Sequence, residues 1–381
     1  IVTRAGLTIR RTKSGKAPKS LMLLGLRGVG KTVLLNEFEQ IAERLECQTV
    51  LFEVDGDRSL AEQLTPQLHQ ILLKLSRIAH AGHSVKRALG LLQGFASAFK
   101  VKYGDAEFGV AEPVTGDLVL DLMEIFVAVG QAAAVRKTAV VILVDEVHVL
   151  NKVDLGALIM ALHRISQRQL PVLLFGAGLP QLAKLAGDAK SYAERLFDYP
   201  SVTRLDEKNA KKALTEPVKA LKVKYNQDAL KHIIEATGGY PFFLQLWGSE
   251  AWDVAPKSPI RLADAKAATK RAIRILDEGT FNLRYERLTA RQRQYARALA
   301  ETGPEPARSG EVAALLGMTV NEAAPVRDEL IKKGMMYSPE RGLVAFTMPL
   351  FDDFLRRKMP GFKAKKVRRK KTAVRSGSQR T

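Results

Sequence analysis

Gly25-Leu26-Arg27-Gly28-Val29-Gly30-Lys31-Thr32 has the spacing G-x-x-x-x-G-K-T. Glycines in such a loop let successive backbone N–H groups curl around phosphate oxygens with no Cβ in the way. The lysine then reaches the β- and γ-phosphates, and the threonine hydroxyl ligates Mg²⁺. Downstream, Val140-Val141-Ile142-Leu143-Val144 ends in Asp145-Glu146. Two carboxylates at a strand end could merely cap the next helix. Beside a phosphate loop they suit a metal-bound water and the polarisation of an attacking one. The residues expected to hold ATP are Gly25, Arg27, Gly28, Val29, Gly30, Lys31, Thr32 and Val33. Thr32 and Asp145 are expected to hold Mg²⁺, with Lys31 and Glu146 acting in catalysis.

These residues need a frame. Ser20–Leu24 is a short apolar run, and Val33, Leu34, Leu35, Phe38 and Ile41 recur at helical spacing after the loop. Strand, glycine loop, helix is the context the motif requires, because the helix N-terminus itself favours anions. The continuous apolar run before Asp145 reads as a strand buried on both faces of a parallel sheet. Thr49–Val54, Pro171–Phe175 and Ser201–Leu205 read as further strands, and the helical patterns between them predict a doubly wound α/β domain over residues 1–205.

After Leu205 the periodicity is helical: Lys208–Leu221, Gln227–Thr237, Pro241–Val254 and Leu262–Glu278. This predicts a helical lid over 206–284. Its aromatic residues Tyr240, Phe242, Phe243, Trp247 and Trp252 read as lid core rather than base-stacking platforms. Three helices follow (Thr289–Glu301, one opening near Ser309 and ending at Gly317, and Asn321–Lys333), then a hairpin over Met335–Phe346. That order predicts a winged helix-turn-helix over 285–358. Its third helix would offer Asn321, Arg327, Lys332 and Lys333 to nucleic acid, with Arg341 in the hairpin turn. Pro325 implies that this helix begins late.

Charge qualifies that reading. Of the formal +20, almost all belongs to the two ends, and residues 354–381 carry twelve basic side chains and no acidic one. A run of that composition, including Lys365, Lys366, Arg368, Arg369, Lys370 and Lys371, is expected to be a disordered tail over 359–381 that binds polyanions with little sequence preference. Residues 288–353 carry eight basic and nine acidic side chains, a poor balance for gripping phosphate. The winged helix could equally dock protein.

The single cysteine, Cys47, excludes an internal disulfide framework, and no His/Cys spacing suggests zinc. The most apolar stretch, Leu118–Val135, is interrupted by Asp121 and Glu124, so no membrane span is expected and a cytoplasmic location is. The chain opens on Ile1, so a preceding segment is expected. Phe99–Val110 reads as a small hairpin within an insertion over 81–116, of unassigned role.

The glycine loop, the Val140–Glu146 strand and Pro171-Val-Leu-Leu-Phe-Gly-Ala-Gly-Leu-Pro-Gln-Leu182 together resemble the AAA+/STAND-type P-loop ATPases related to origin-recognition initiators. The likeness continues through Thr237-Gly-Gly-Tyr-Pro-Phe-Phe-Leu-Gln245, where Gly-Tyr-Pro is similar to the G-x-P module that would bring Pro241 to the nucleotide. The resemblance implies strand order 5-1-4-3-2, ATP with Mg²⁺, a helical lid, and an arginine acting on a neighbouring copy's γ-phosphate. Arg195 occupies that position, so a homo-oligomer is implied; an ion pair of Arg195 with Glu194 or Asp198 is the alternative. Three departures stand out. The fourth strand ends Phe175-Gly-Ala-Gly178 with no polar sensor, the lid segment after Gly238 has no arginine where initiator ATPases carry a second sensor, and no Gly-Arg element is recognisable in residues 1–19. They leave ATP binding intact and point to slow or partner-dependent turnover. The function expected is an ATP-dependent switch acting on DNA. The alternatives are a signalling or scaffolding NTPase and a helper ATPase of a mobile element.

Overall fold

A computed structural model describes residues 1–76, 82–101 and 111–365. The chain divides into two compact units, Ile1–Gly248 and Ser249–Thr381. The first begins with α1 (Val2–Lys13), β1 (Ser20–Leu24), α2 (Lys31–Arg44) and β2 (Gln48–Glu53). Next come α3 (Leu60–Ser76), α4 (Gly82–Ala98), α5 (Leu118–Val135), β3 (Val140–Asp145), α6 (Lys152–Gln167) and β4 (Val172–Gly178). It closes with α7 (Leu182–Ala189), α8 (Ala193–Leu196), β5 (Phe197–Asp198), α9 (Glu207–Lys219), α10 (Gln227–Thr237) and α11 (Pro241–Val254), within which the boundary falls.

The five strands form one parallel sheet in the order β2-β3-β4-β1-β5, which is 5-1-4-3-2 from the opposite edge. Side chains alternate across a strand, so β3 supplies two cores. Val140, Ile142 and Val144 face the core made with α3 to α7. Val141 and Leu143 face the smaller core made with Ala5 and Ile9 of α1 and Leu35, Phe38 and Ala42 of α2. All six residues of β3 are buried, as a doubly covered parallel strand must be.

The fifth strand is a correction. It is Phe197–Asp198, paired with Ser20 and Leu21, and not Ser201–Leu205. Pro200 has no N–H to continue the ladder. The chain still runs beside β1: Leu24 donates to the Pro200 carbonyl and receives the Val202 N–H, but Ser201 contributes only an isolated bridge.

By length and composition α5 could span a membrane, yet half of it is buried inside the unit. Its Asp121 is buried too, with its carboxylate taking the N–H groups of Thr115 and Gly116 and the Thr115 hydroxyl. Residues 82–98 of the insertion are helix α4. The expected hairpin falls mostly on 102–110, outside the described residues.

The second unit contains α12 (Leu262–Leu276), α13 (Asn282–Glu286), α14 (Ala290–Glu301), β6 (Ala307–Arg308) and α15 (Ser309–Leu315). It continues with α16 (Val320–Lys332), β7 (Met336–Tyr337), β8 (Leu343–Phe346) and α17 (Phe351–Lys358). The strands make a small antiparallel sheet, β6-β8-β7. Contrary to expectation, α16 does not begin late. The Thr319 hydroxyl takes the Glu322 N–H while the Glu322 carboxylate takes the Thr319 N–H and hydroxyl. This capping box starts the helix before Pro325, and it offsets the one helical N–H that the proline lacks.

Candidate nucleotide site

The glycine loop lies between the C-terminal end of β1 and the first turn of α2. Gly28 and Gly30 have φ of 81° and 94°, which side chains rarely adopt. A Cβ on Gly25 would stand 2.4 Å from the Val202 carbonyl oxygen, and the Gly25 N–H is tied to Gly178 O at the end of β4. The loop is therefore fixed by its neighbours as well as by its own sequence.

Lys31 is 5% exposed. Its ammonium donates to the Gly25 and Leu26 carbonyls, each at 3.0 Å. Burial pushes its pKa down from the usual lysine value, against the opposing pull of Glu146 and Asp145. Thr32 Oγ1 donates to Asp145 Oδ2 at 2.5 Å, joining α2 to the end of β3. Asp145 Oδ1 accepts the Glu146 N–H. A hydroxyl and a carboxylate oxygen side by side are the hard donors that Mg²⁺ takes from protein when phosphates supply the rest. Among the described residues no group of three or more His, Cys, Asp or Glu could hold a metal without such help.

Glu146 adopts φ 53°, in the left-handed region. For a residue with a long side chain this is a strained conformation of the kind held at functional sites. It turns the carboxylate towards the loop, where Oε2 stands 3.7 Å from Arg27 and 3.4 Å from His148 Nε2. Burial raises the Glu146 pKa above the usual carboxylate value, while Arg27 and Lys31 oppose that shift. His148 goes the other way, lowered to about 4 by burial and by the same two cations, so the ring is neutral near pH 7.

The α11 end completes the site. Pro241 opens the helix, where a missing N–H costs nothing. Gly239 has φ 73°, and a Cβ there would strike Leu205 O at 2.4 Å. That turn lays Phe242 against the loop: its N–H donates to Gly28 O at 3.1 Å, and a Cβ on Gly28 would meet Phe242 Cβ at 3.0 Å.

The structure thus brings Gly25, Arg27, Gly28, Val29, Gly30, Lys31, Thr32, Val33, Asp145, Glu146 and Pro241 to one end of the sheet. Val29 is buried beneath the loop and Val33 is exposed beside it. Arg195 stands elsewhere, lining a hollow with Lys19 and Ser20 at the start of β1. Asp198 is taken by Arg4 and Lys19 instead, and Arg195 forms no ion pair among the described residues.

The aromatic expectation is half corrected. Phe243 and Trp247 are buried in the lid and meet edge to face, but Phe242 and Trp252 are exposed. Their positions along α11 face away from the Phe243–Trp247 stripe. Two site residues are not legible in the sequence as such: Phe242, whose pattern reads as lid core, and His148. The signal for His148 lay in the glycines ending β4.

Residues 7–175 match the AAA ATPase domain, and residues 278–355 match a domain of unknown function (DUF8462). Residues 7–175 thus carry an AAA ATPase domain. The fold of the chain is that of the Walker-type ATPase of Pyrococcus abyssi: TM-score 0.58 at 17% identity, covering 93% of this chain and 95% of that one. More distant are the Thermotoga maritima RuvB Holliday junction branch migration motor (TM-score 0.43, 16% identity, 90% of each chain) and the Aeropyrum pernix ORC1 protein in complex with DNA (TM-score 0.44, 14% identity, 93% and 91%). No curated protein matches the chain.

The candidate nucleic-acid residues are not gathered in this way. Asn321, Lys332 and Arg341 are exposed on the second unit. Arg327 is bonded to Asp328, and the Lys333 ammonium donates to Arg287 O and Gln292 Oε1, each at 2.8 Å. The Lys365 backbone N–H is bonded to Leu315 O. Lys366, Arg368, Arg369, Lys370 and Lys371 lie outside the described residues.

Proposed function

We propose that this ATPase is a cytoplasmic, Mg²⁺-dependent molecular switch of the AAA+/STAND type that acts on DNA through its C-terminal segment. The Phe242–Gly28 hydrogen bond carries the reading. It joins α11 directly to the loop that grips phosphate, so filling the loop alters the footing of a helix that runs on into the second unit. A ligand shifts such an element only by its differential affinity for the two arrangements.

In this reading bound ATP·Mg²⁺ supplies the phosphoryl group and the charge neutralisation for its transfer. Lys31 would exchange its carbonyl partners for phosphate oxygens, Thr32 and Asp145 would hold the metal, and Glu146 would accept hydrogen bonding from the attacking water. Glycines at the end of β4, where relatives place a polar sensor, argue for slow or partner-dependent turnover. Arg195, exposed and distant from its own loop, suits action on the nucleotide of a second copy.

The helix order and hairpin of residues 290–346 support a winged helix-turn-helix. A specific observation favours protein rather than DNA as the partner of α16: its exposed face carries Glu322, Asp328 and Glu329 against Lys332, while Arg327 and Lys333 are engaged within the unit. DNA contact in this proposal therefore falls to the basic run after residue 359. Hydrolysis measured with and without duplex DNA tests it. Stimulation that vanishes when residues 366–381 are removed supports the proposal. A rate indifferent to DNA at low salt sinks the DNA half and favours a scaffolding switch.

A further inference from the structure

The geometry points to His148, seated at the end of β4, as a positioning residue that fixes the Glu146 carboxylate. The inference rests on Glu146 being the water-polarising carboxylate.

The imidazole is nearly enclosed, 7% exposed, and it is held from the strand side. The Leu179 N–H donates to Nδ1 at 3.3 Å. A ring nitrogen that accepts carries no proton, so the neutral ring bears its hydrogen on Nε2. Nε2 lies 3.4 Å from Glu146 Oε2, and that oxygen is buried with no hydrogen-bond partner. A small closure brings the two into a hydrogen bond, and the proton stays on Nε2.

The end of β4 is shaped for this ring. A Cβ on Gly178 would stand 3.2 Å from His148 Nδ1 and 3.0 Å from Leu182 Cδ2. One on Gly176 would overlap Met22 Sδ at 2.3 Å and press on Val147. At these two glycines a side chain would have to displace its neighbours, the ring among them. The chain of contact runs from the Leu179 amide through the imidazole to the carboxylate. Arg27 approaches the same oxygen from the phosphate loop, so Glu146 is held between the loop and the sheet.

The test uses the full chain with His148→Ala, His148→Gln, His148→Asn, Glu146→Gln and the double variant. Nitrogen NMR of histidine-labelled protein, with the signal assigned by its loss in His148→Ala, should show the Nε2–H tautomer; an Nδ1–H tautomer overturns the proposal. Calorimetry should find ATP·Mg²⁺ affinity within about threefold of the parent in each single variant, whereas single-turnover hydrolysis slows about 10- to 100-fold in His148→Ala. His148→Gln, whose amide N–H reaches the Nε2 place, should restore most of the rate, and His148→Asn should not. In the Glu146→Gln background the alanine should slow the residual rate less than about twofold, since both changes remove one interaction. An equal loss in both backgrounds means a merely structural role and overturns the proposal. If Glu146→Gln slows hydrolysis but His148→Ala does not, His148 alone is refuted. If Glu146→Gln hydrolyses normally, the carboxylate assignment falls and His148 with it.

Discussion

The phosphate-loop end of the first unit and the exposed face of α16 in the second were both singled out by their charged residues, and the fold treats them in opposite ways. Around the loop, Lys31, Asp145 and Glu146 are largely withdrawn from water and converge, each held by a partner that another ligand could replace. At α16 Lys332 stays exposed, while two other cations are engaged within the second unit. Arg327 pairs with its own neighbour, and Lys333 joins a polar knot with Gln292, whose amide also donates to Glu329. Charges brought together by distant strands form a site, whereas charges strung along one helix solvate that helix. Exposed pairs of that kind are worth little, about 0–1 kcal/mol each.

The sharpest way to break this contrast is Lys31→Ala. It should abolish ATP binding measured by calorimetry, while circular dichroism reports an intact fold. Retained affinity would mean that the loop does not hold phosphate. Next in size, Glu146→Gln should keep affinity within about threefold and lower hydrolysis by about 10²- to 10⁴-fold, the usual span for a lost general base. Removing residues 366–381 takes away seven basic side chains. It should weaken duplex binding at least about tenfold at low salt and flatten its salt dependence. The smallest effect is expected from Arg327→Ala and Lys333→Ala, with duplex affinity within about twofold in fluorescence anisotropy. A loss as large as that from the tail removal would restore α16 as a DNA-reading helix and erase the distinction drawn between the two regions.

Much of the nucleotide site was legible because its signal is local. G-x-x-x-x-G-K-T needs particular backbone freedoms at particular positions, and Gly28 and Gly30 take the positive φ values that the motif anticipates. Val140–Val144 announces a strand buried on both faces through unbroken apolarity alone. The fifth strand was misplaced because β propensity in Ser201–Leu205 said nothing of Pro200, which interrupts the ladder beside β1. Pro325 does not delay α16 for the complementary reason: a strong cap upstream holds the helix together across it.

Residue order by itself marked out the groups proposed to hold phosphate, because loop, lysine and hydroxyl sit within eight positions and answer to backbone geometry. Only the tertiary structure decided what surrounds them. Phe242 reaches Gly28 because Gly239 turns the chain against Leu205, and His148 reaches Glu146 because β4 ends in glycines that leave room for the ring. Such contacts depend on how far apart two backbones pack, and that distance is written in no single segment of the chain.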